Sequence, residues 1–205
     1  TLLAMRAALI ALVVLATLVQ GCFGRLSVPT EEELRPTLTK AFTYAQHGRL
    51  LSPDDQAILR SELKGPALLL FERLLKNLSS PCTPGDEACG RSKIEELGEI
   101  YRAWAGEYPD AFEVRLTSAA GLFFIGQSAK RAGFGGDSAE KLVSDGKQRL
   151  LALARDFPEE PMVHGQLAFM KTFEEGKRSE IKAHIAQCLR LDPTTDWCRK
   201  LARKY

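Results

Sequence analysis

Apolar residues fall into two regimes along this chain. From Ala7 to Val19 they are continuous apart from Thr17. From Thr30 onward they recur at steps of three and four among polar residues, the spacing of a helix that buries one face. Ile94, Leu97, Tyr101, Trp104 and Tyr108 form one stripe, and Phe112, Leu116, Ala119, Ala120 and Phe123 form a second. Ala139, Leu142, Val143, Leu150, Leu153, Ala154 and Phe157 form a third, which also carries Gly146. Thr30-Glu31-Glu32-Glu33 has capping-box spacing, and Pro36 then predicts a start near residue 35 or a kink. Ser52-Pro53-Asp54-Asp55 reads as N-cap, first-turn proline and first-turn acids, and Gly65-Pro66 interrupts or bends that helix before the apolar run Leu68 to Leu78. Asp110 and Glu113 open a helix, Gly133-Phe134-Gly135-Gly136 ends it, and Asp137-Ser138 caps the next. Further helices are expected over 161–175, 178–191 and 194–204. No stretch alternates with period two, so the predicted fold is all-α, built of antiparallel helix pairs in a helical repeat or an irregular bundle.

The first regime is too short to span a bilayer comfortably: as a helix, 7–19 would rise about 20 Å against a hydrocarbon core of about 30 Å. Met5, the candidate initiator, is followed at once by Arg6, giving the basic start, short apolar run and small-residue end of a secretory leader. An ordinary secretory peptide or an uncleaved anchor is the competing reading. Leu18-Val19-Gln20-Gly21-Cys22 resembles the lipobox of bacterial lipoproteins, with an aliphatic residue at −3 and a small one at −1. The resemblance implies that the Cys22 thiol takes a diacylglyceryl group, that cleavage leaves Cys22 first, and that chains such as palmitate hold the protein on a membrane. Several such chains anchor stably where one is marginal. Phe23, rather than Asp, follows the cysteine; by the same resemblance this points to the outer membrane, periplasmic face, with the inner membrane and the cell surface as alternatives. The expected organisation is a signal peptide over 1–21, a tether over 22–30 and a helical domain over 31–205.

Five cysteines are present. With Cys22 committed to lipid, Cys82, Cys89, Cys188 and Cys198 remain in a compartment where disulfides persist. Three connectivities are open to four cysteines. Proximity favours Cys82 with Cys89, across the Pro84-Gly85 turn, and Cys188 with Cys198, which flank Asp192-Pro193 at a junction between two helices. Neither spacing is the Cys-x2–4-Cys of a zinc site, and no metal or other cofactor is expected.

Three helix endings are alike. Arg102 to Pro109, Leu151 to Pro158 and Ile185 to Pro193 each close on a proline and are each followed by a new helix. The last two prolines are 35 residues apart, near the 34-residue period of tetratricopeptide repeats. The segment 92–205 resembles degenerate members of that family, with Ala119 or Ala120 and Ala168 at the small-residue position and Gly176 at the inter-helix turn. The resemblance implies a concave surface lined by the first helix of each pair, here 110–131 and 161–175, on which a partner segment docks.

Candidate chemistry adds little. His47, His164 and His184 stand in no constellation that spacing can show, and no nucleophile triad or acid/base pair is legible, so no enzymatic role is expected. The glycine-rich segment 133–136 lacks the Gly-Lys-Ser/Thr of a phosphate cradle. Lys plus Arg number 28 against 26 for Asp plus Glu, which leaves no electrostatic case for nucleic acid; the basic cluster Arg199, Lys200, Arg203 and Lys204 suits a helix C-terminus. The predicted function is therefore a lipid-anchored adaptor or assembly factor that binds another envelope protein. Arg115 and Gln127 are candidate partner contacts by position. The alternative is a carrier of a small apolar ligand, or an aid to a solute transporter, with Phe123, Phe124, Phe169 and Phe173 as candidates to line its cavity; ordinary core packing is the favoured reading of these four.

Overall fold

The computed structural model describes residues 31–205 apart from 48, 81, 84, 134, 135 and 175–177. The signal peptide, Cys22 and the tether therefore lie outside the described residues, as do Thr30, Pro84, Gly176 and half of the glycine-rich segment. The described residues form helices and no strands: α1 Glu31–Ala45, α2 Pro53–Glu62, α3 Gly65–Ser79, α4 Glu87–Glu107, α5 Phe112–Arg131, α6 Gly136–Asp156, α7 Pro161–Lys171, α8 Arg178–Leu191 and α9 Asp196–Lys204. The all-α expectation holds. None of these helices is long and apolar enough to cross a membrane.

Local chemistry sets the ends. Ser52 accepts from the Asp55 backbone N–H and Pro53 opens α2, satisfying first-turn donors that the helix itself cannot. Gly65, at φ +56°, makes the left-handed step that starts α3, with Pro66 in the first turn. Asp86 accepts from Cys89 N, so α4 begins at Glu87, earlier than the clear stripe from Ser92 suggests. Pro36 neither delays nor ends α1, which starts at Glu31 and runs through it.

Consecutive helices from α3 onward pack antiparallel, and alternate helices form two layers. Asn77 of α3 bonds to Lys93 O and Glu96 of α4; Ser118 of α5 donates to Tyr101 O of α4 at 2.8 Å; Arg115 of α5 pairs with Asp156 of α6. In one layer α4 and α6 lie side by side, with Ser138 donating to Glu95 and Arg102 pairing with Asp145 at 2.7 Å. Partial burial opposes ionisation of Asp145, yet hydrogen bonds from Arg102 and Arg149 hold its carboxyl below the usual carboxylate range. In the other layer α5 lies beside α7, with Phe124 against Phe169. α1 joins this layer beside α5, where Gln46 donates to Thr117 O, and packs across onto α4: Phe42 stacks on Trp104, centroids 3.8 Å apart, and the buried Tyr101 hydroxyl donates to Phe42 O.

α5 is the centre of the molecule. Its predicted stripe is buried or half-buried, but so are Val114, Ser118, Gly121, Leu122, Ile125, Gly126 and Ala129. A helix buried around most of its circumference, with Glu113, Ser128 and Lys130 left exposed, shows only a weak one-sided pattern. Close approach to α6 rests on two glycines. A Cβ at Gly126 would lie 2.7 Å from Ala139 O, and one at Gly146 would lie 2.8 Å from Ala119 O and from Phe123 Cα.

Both proximal disulfides form, Cys82–Cys89 and Cys188–Cys198, closing separations of 7 and 10 residues. Loops this short limit each contribution to about 2–3 kcal/mol in the chain-entropy account. Cys188 and Cys198 are buried, so the second bridge is part of the packing of α8 on α9.

Candidate binding cleft

The layer containing α1, α5 and α7 carries a cleft of about 350 Å³ that Trp197 of α9 also lines. α1 contributes Thr43 and leads into Gln46 and His47, α5 contributes Ala120, Phe123 and Phe124, α7 contributes Met162, Gln166 and Phe169, and α9 contributes Trp197, with Leu150 of α6 lining it as well.

Each wall has a local cause. Gln46 donates to Thr117 O at 3.3 Å, which holds the end of α1 on α5, and the His47 ring meets Phe124 edge-on, centroids 4.8 Å apart. Phe124 and Phe169 lie nearly parallel at 5.9 Å, and Phe169 meets Trp197 at 5.3 Å. Trp197 is brought there by the α8–α9 junction. Asp192 accepts from the Thr194 backbone and from the hydroxyls of Thr194 and Thr195, and these bonds hold its carboxyl below the usual carboxylate range. Gly165 then admits α9, because a Cβ there would lie 2.9 Å from Trp197 Cδ1 and from Cys198 Sγ.

The lining is aromatic and aliphatic with four polar side chains, Thr43, Gln46, His47 and Gln166, and it contains no Asp, Glu, Lys or Arg. Gln166 is half-buried and bonds to no described residue, so its amide is free for an occupant. A site of this kind takes uncharged apolar groups. A buried charge would need a partner ion that the walls lack.

Of the four phenylalanines that core packing or a ligand cavity would take, Phe123, Phe124 and Phe169 line the cleft. Phe173 packs behind them, 5.0 Å from Phe169 and 5.8 Å from Phe123, with Arg131 over its own ring. Arg115 is taken up elsewhere: it pairs with Asp156 at 2.8 Å, lies over the Phe157 ring and borders a separate small cleft with Arg149. Gln127 is half-buried one turn beyond Phe123 and Phe124, outside the lining. Thr43, Gln46, Met162, Gln166 and Trp197 went unread, and so did the place of His47. Trp197 carries the one usable signal, the single aromatic in the strongly basic helix Asp196 to Lys204.

Compared with protein-family models, curated proteins and solved structures, the chain matches none of them.

Proposed function

We propose that this chain is a non-catalytic, lipid-anchored module of the bacterial envelope whose aromatic cleft receives an uncharged apolar segment of a partner protein. The observation that carries the reading is the lining: four aromatic side chains from three helices, free polar contact from Gln166, and no ionised wall. Aromatic anchors set in a desolvated pocket are what concentrate binding energy at protein interfaces. The cleft is built mainly from α1, α5, α7 and α9 rather than from α4 and α8, which is the side on which tetratricopeptide-like pairs receive their partners. Anchoring rests on the lipobox-like Leu18 to Cys22, and the outer membrane on Phe23.

A second reading has its own observation. A volume of about 350 Å³ is that of a small-molecule pocket, so an apolar solute handed to or from a transporter is the alternative guest. One preparation tests all of this. Protein gently extracted from membranes and analysed by native mass spectrometry is expected to carry a diacylglyceryl modification at Cys22 and a copurifying guest. A protein-sized guest favours the adaptor and a small apolar one the carrier, whereas a bare, empty chain contradicts both. Cys22→Ser should abolish acyl labelling and release the protein from the membrane; labelling unchanged in that variant removes the anchor from the account.

A further inference from the structure

Trp197 reaches the aromatic cleft with little hold of its own. It belongs to α9, a helix of nine residues in which Cys198 and Leu201 are the buried ones, and a helix this short is marginal by itself. The indole Nε1 is shielded from solvent and has no hydrogen-bond partner, so no polar contact fixes the ring. Its neighbour in sequence does that. Cys198 is bonded to Cys188 of α8, and both residues are fully buried.

The same stretch is pressed onto α7. A Cβ at Gly165 would lie 2.9 Å from Cys198 Sγ and 2.9 Å from Trp197 Cδ1, and the next residue, Gln166, lines the cleft. Bridge, indole and cleft wall therefore meet within one turn of α7. Two unbonded thiols need more room than a bonded sulfur pair, and in close packing the backbone at Gly165 closes one way out. With the bridge open, α9 has to shift away from α7, and Trp197 shifts with it. The other attachments of α9 do not replace the bridge. Asp192 fixes the turn before the helix, Arg178 donates to the Tyr205 carbonyl at its far end, and Leu201 packs with Ala168, Ile181 and Ile185 one turn beyond Trp197.

From this arrangement we infer that the Cys188–Cys198 bond is a redox latch on the aromatic cleft: the oxidised protein holds Trp197 against Phe169 and retains its guest, and the reduced protein lets that wall go. The inference rests on the aromatic cleft being the binding site. Cys188 and Cys198 are positioning residues, since neither lines the cleft. Closing the latch is a thiol–disulfide exchange. The two S–H bonds give way to one S–S bond, and the two electrons and two protons pass to a disulfide-bearing oxidant, which is reduced to two thiols. Such oxidants act outside the cytosol, so a chain still reduced before export has an incomplete cleft and takes up its guest only afterwards. Cys82–Cys89, which joins α4 to the loop before it, has no part in the latch.

Full-length protein labelled with 5-fluorotryptophan has two fluorine resonances to follow in detergent, those of Trp104 and Trp197. Stepwise reduction with dithiothreitol is expected to move the Trp197 resonance toward its solvent-exposed value as the Cys188–Cys198 bond opens, while that of Trp104, sealed in the core, stays in place. This readout needs neither a guest nor a variant that folds. In living cells, a photo-crosslinking phenylalanine analogue at Gln166 reads the guest. Cys188→Ser with Cys198→Ser should cut its adduct at least about tenfold, and Cys82→Ser with Cys89→Ser should leave it unchanged. A Trp197 resonance unmoved after the bridge is reduced, both resonances lost together, or an undiminished adduct in the Cys188→Ser, Cys198→Ser protein would each overturn the latch. An adduct missing even from the oxidised protein with all its cysteines would speak against the cleft itself, and the fluorine resonances would still decide the latch.

Discussion

Replacing Gly146 with leucine is expected to destabilise the fold by more than about 4 kcal/mol, and alanine to do so by about 1–2 kcal/mol. A Cβ at this position meets three backbone atoms of α5, Phe123 N, Ala119 O and Phe123 Cα. Backbone cannot rotate away as a side chain can, so α6 must retreat from the most buried helix of the molecule. Alanine recovers up to about 1 kcal/mol of helix propensity relative to glycine, which is why its net cost stays moderate. Gly106 supplies the opposite sign. It is exposed on α4 with open space where a Cβ would go, and Gly106→Ala should be neutral or stabilising by up to about 1 kcal/mol. Denaturant midpoints at constant m-value read both. If Gly146→Leu melted with the unaltered protein, the close crossing of α5 and α6 would be wrong.

The second large effect is on binding. Phe124→Asp should lower the affinity for whatever fills the aromatic cleft at least about a hundredfold, because it places an ion in a lining that offers no partner charge. Phe124→Ala should cost about 2 kcal/mol, or about thirtyfold, the loss of one aromatic anchor. Phe124 is half-buried and lies at the cleft rather than in the sealed core with Trp104, so circular dichroism and melting should change far less than binding does. Guest retention undiminished in Phe124→Asp would place the binding surface elsewhere on the molecule.

Helix boundaries were readable at several of the places where the chain carries its own punctuation, such as Ser52-Pro53, though not at the Asp86 cap of α4. Arg178–Leu191 matches the expected 178–191, and Gly65-Pro66, an interruption or a bend by sequence, separates two helices. The disulfides were readable for the same reason, since each joins cysteines that a single turn or junction brings together. Pro36 misled because the loss of one backbone donor early in α1 is tolerated there, where Leu34, Leu38 and Phe42 fasten the helix to the core. The burial of α5 around most of its circumference could not be read from spacing, because Gly121, Ser118 and Gly126 look polar or neutral in a hydrophobic pattern. They are small because Tyr101, the Tyr101 carbonyl and the α6 backbone lie against them. The cleft is a property of assembly. Its walls come from positions 43 to 197, and no local rule links Gln46 with Trp197.

The central claim is that this module binds through the aromatic cleft of the α1, α5 and α7 layer, and a photo-crosslinking phenylalanine analogue tests it in living cells. Placed at Gln166, inside the cleft, it should give one discrete added mass that disappears when Phe124→Asp is introduced. Placed at the exposed Lys76 on α3, it should give none. The same adducts from both positions, or an adduct at 166 that survives Phe124→Asp, would contradict the account.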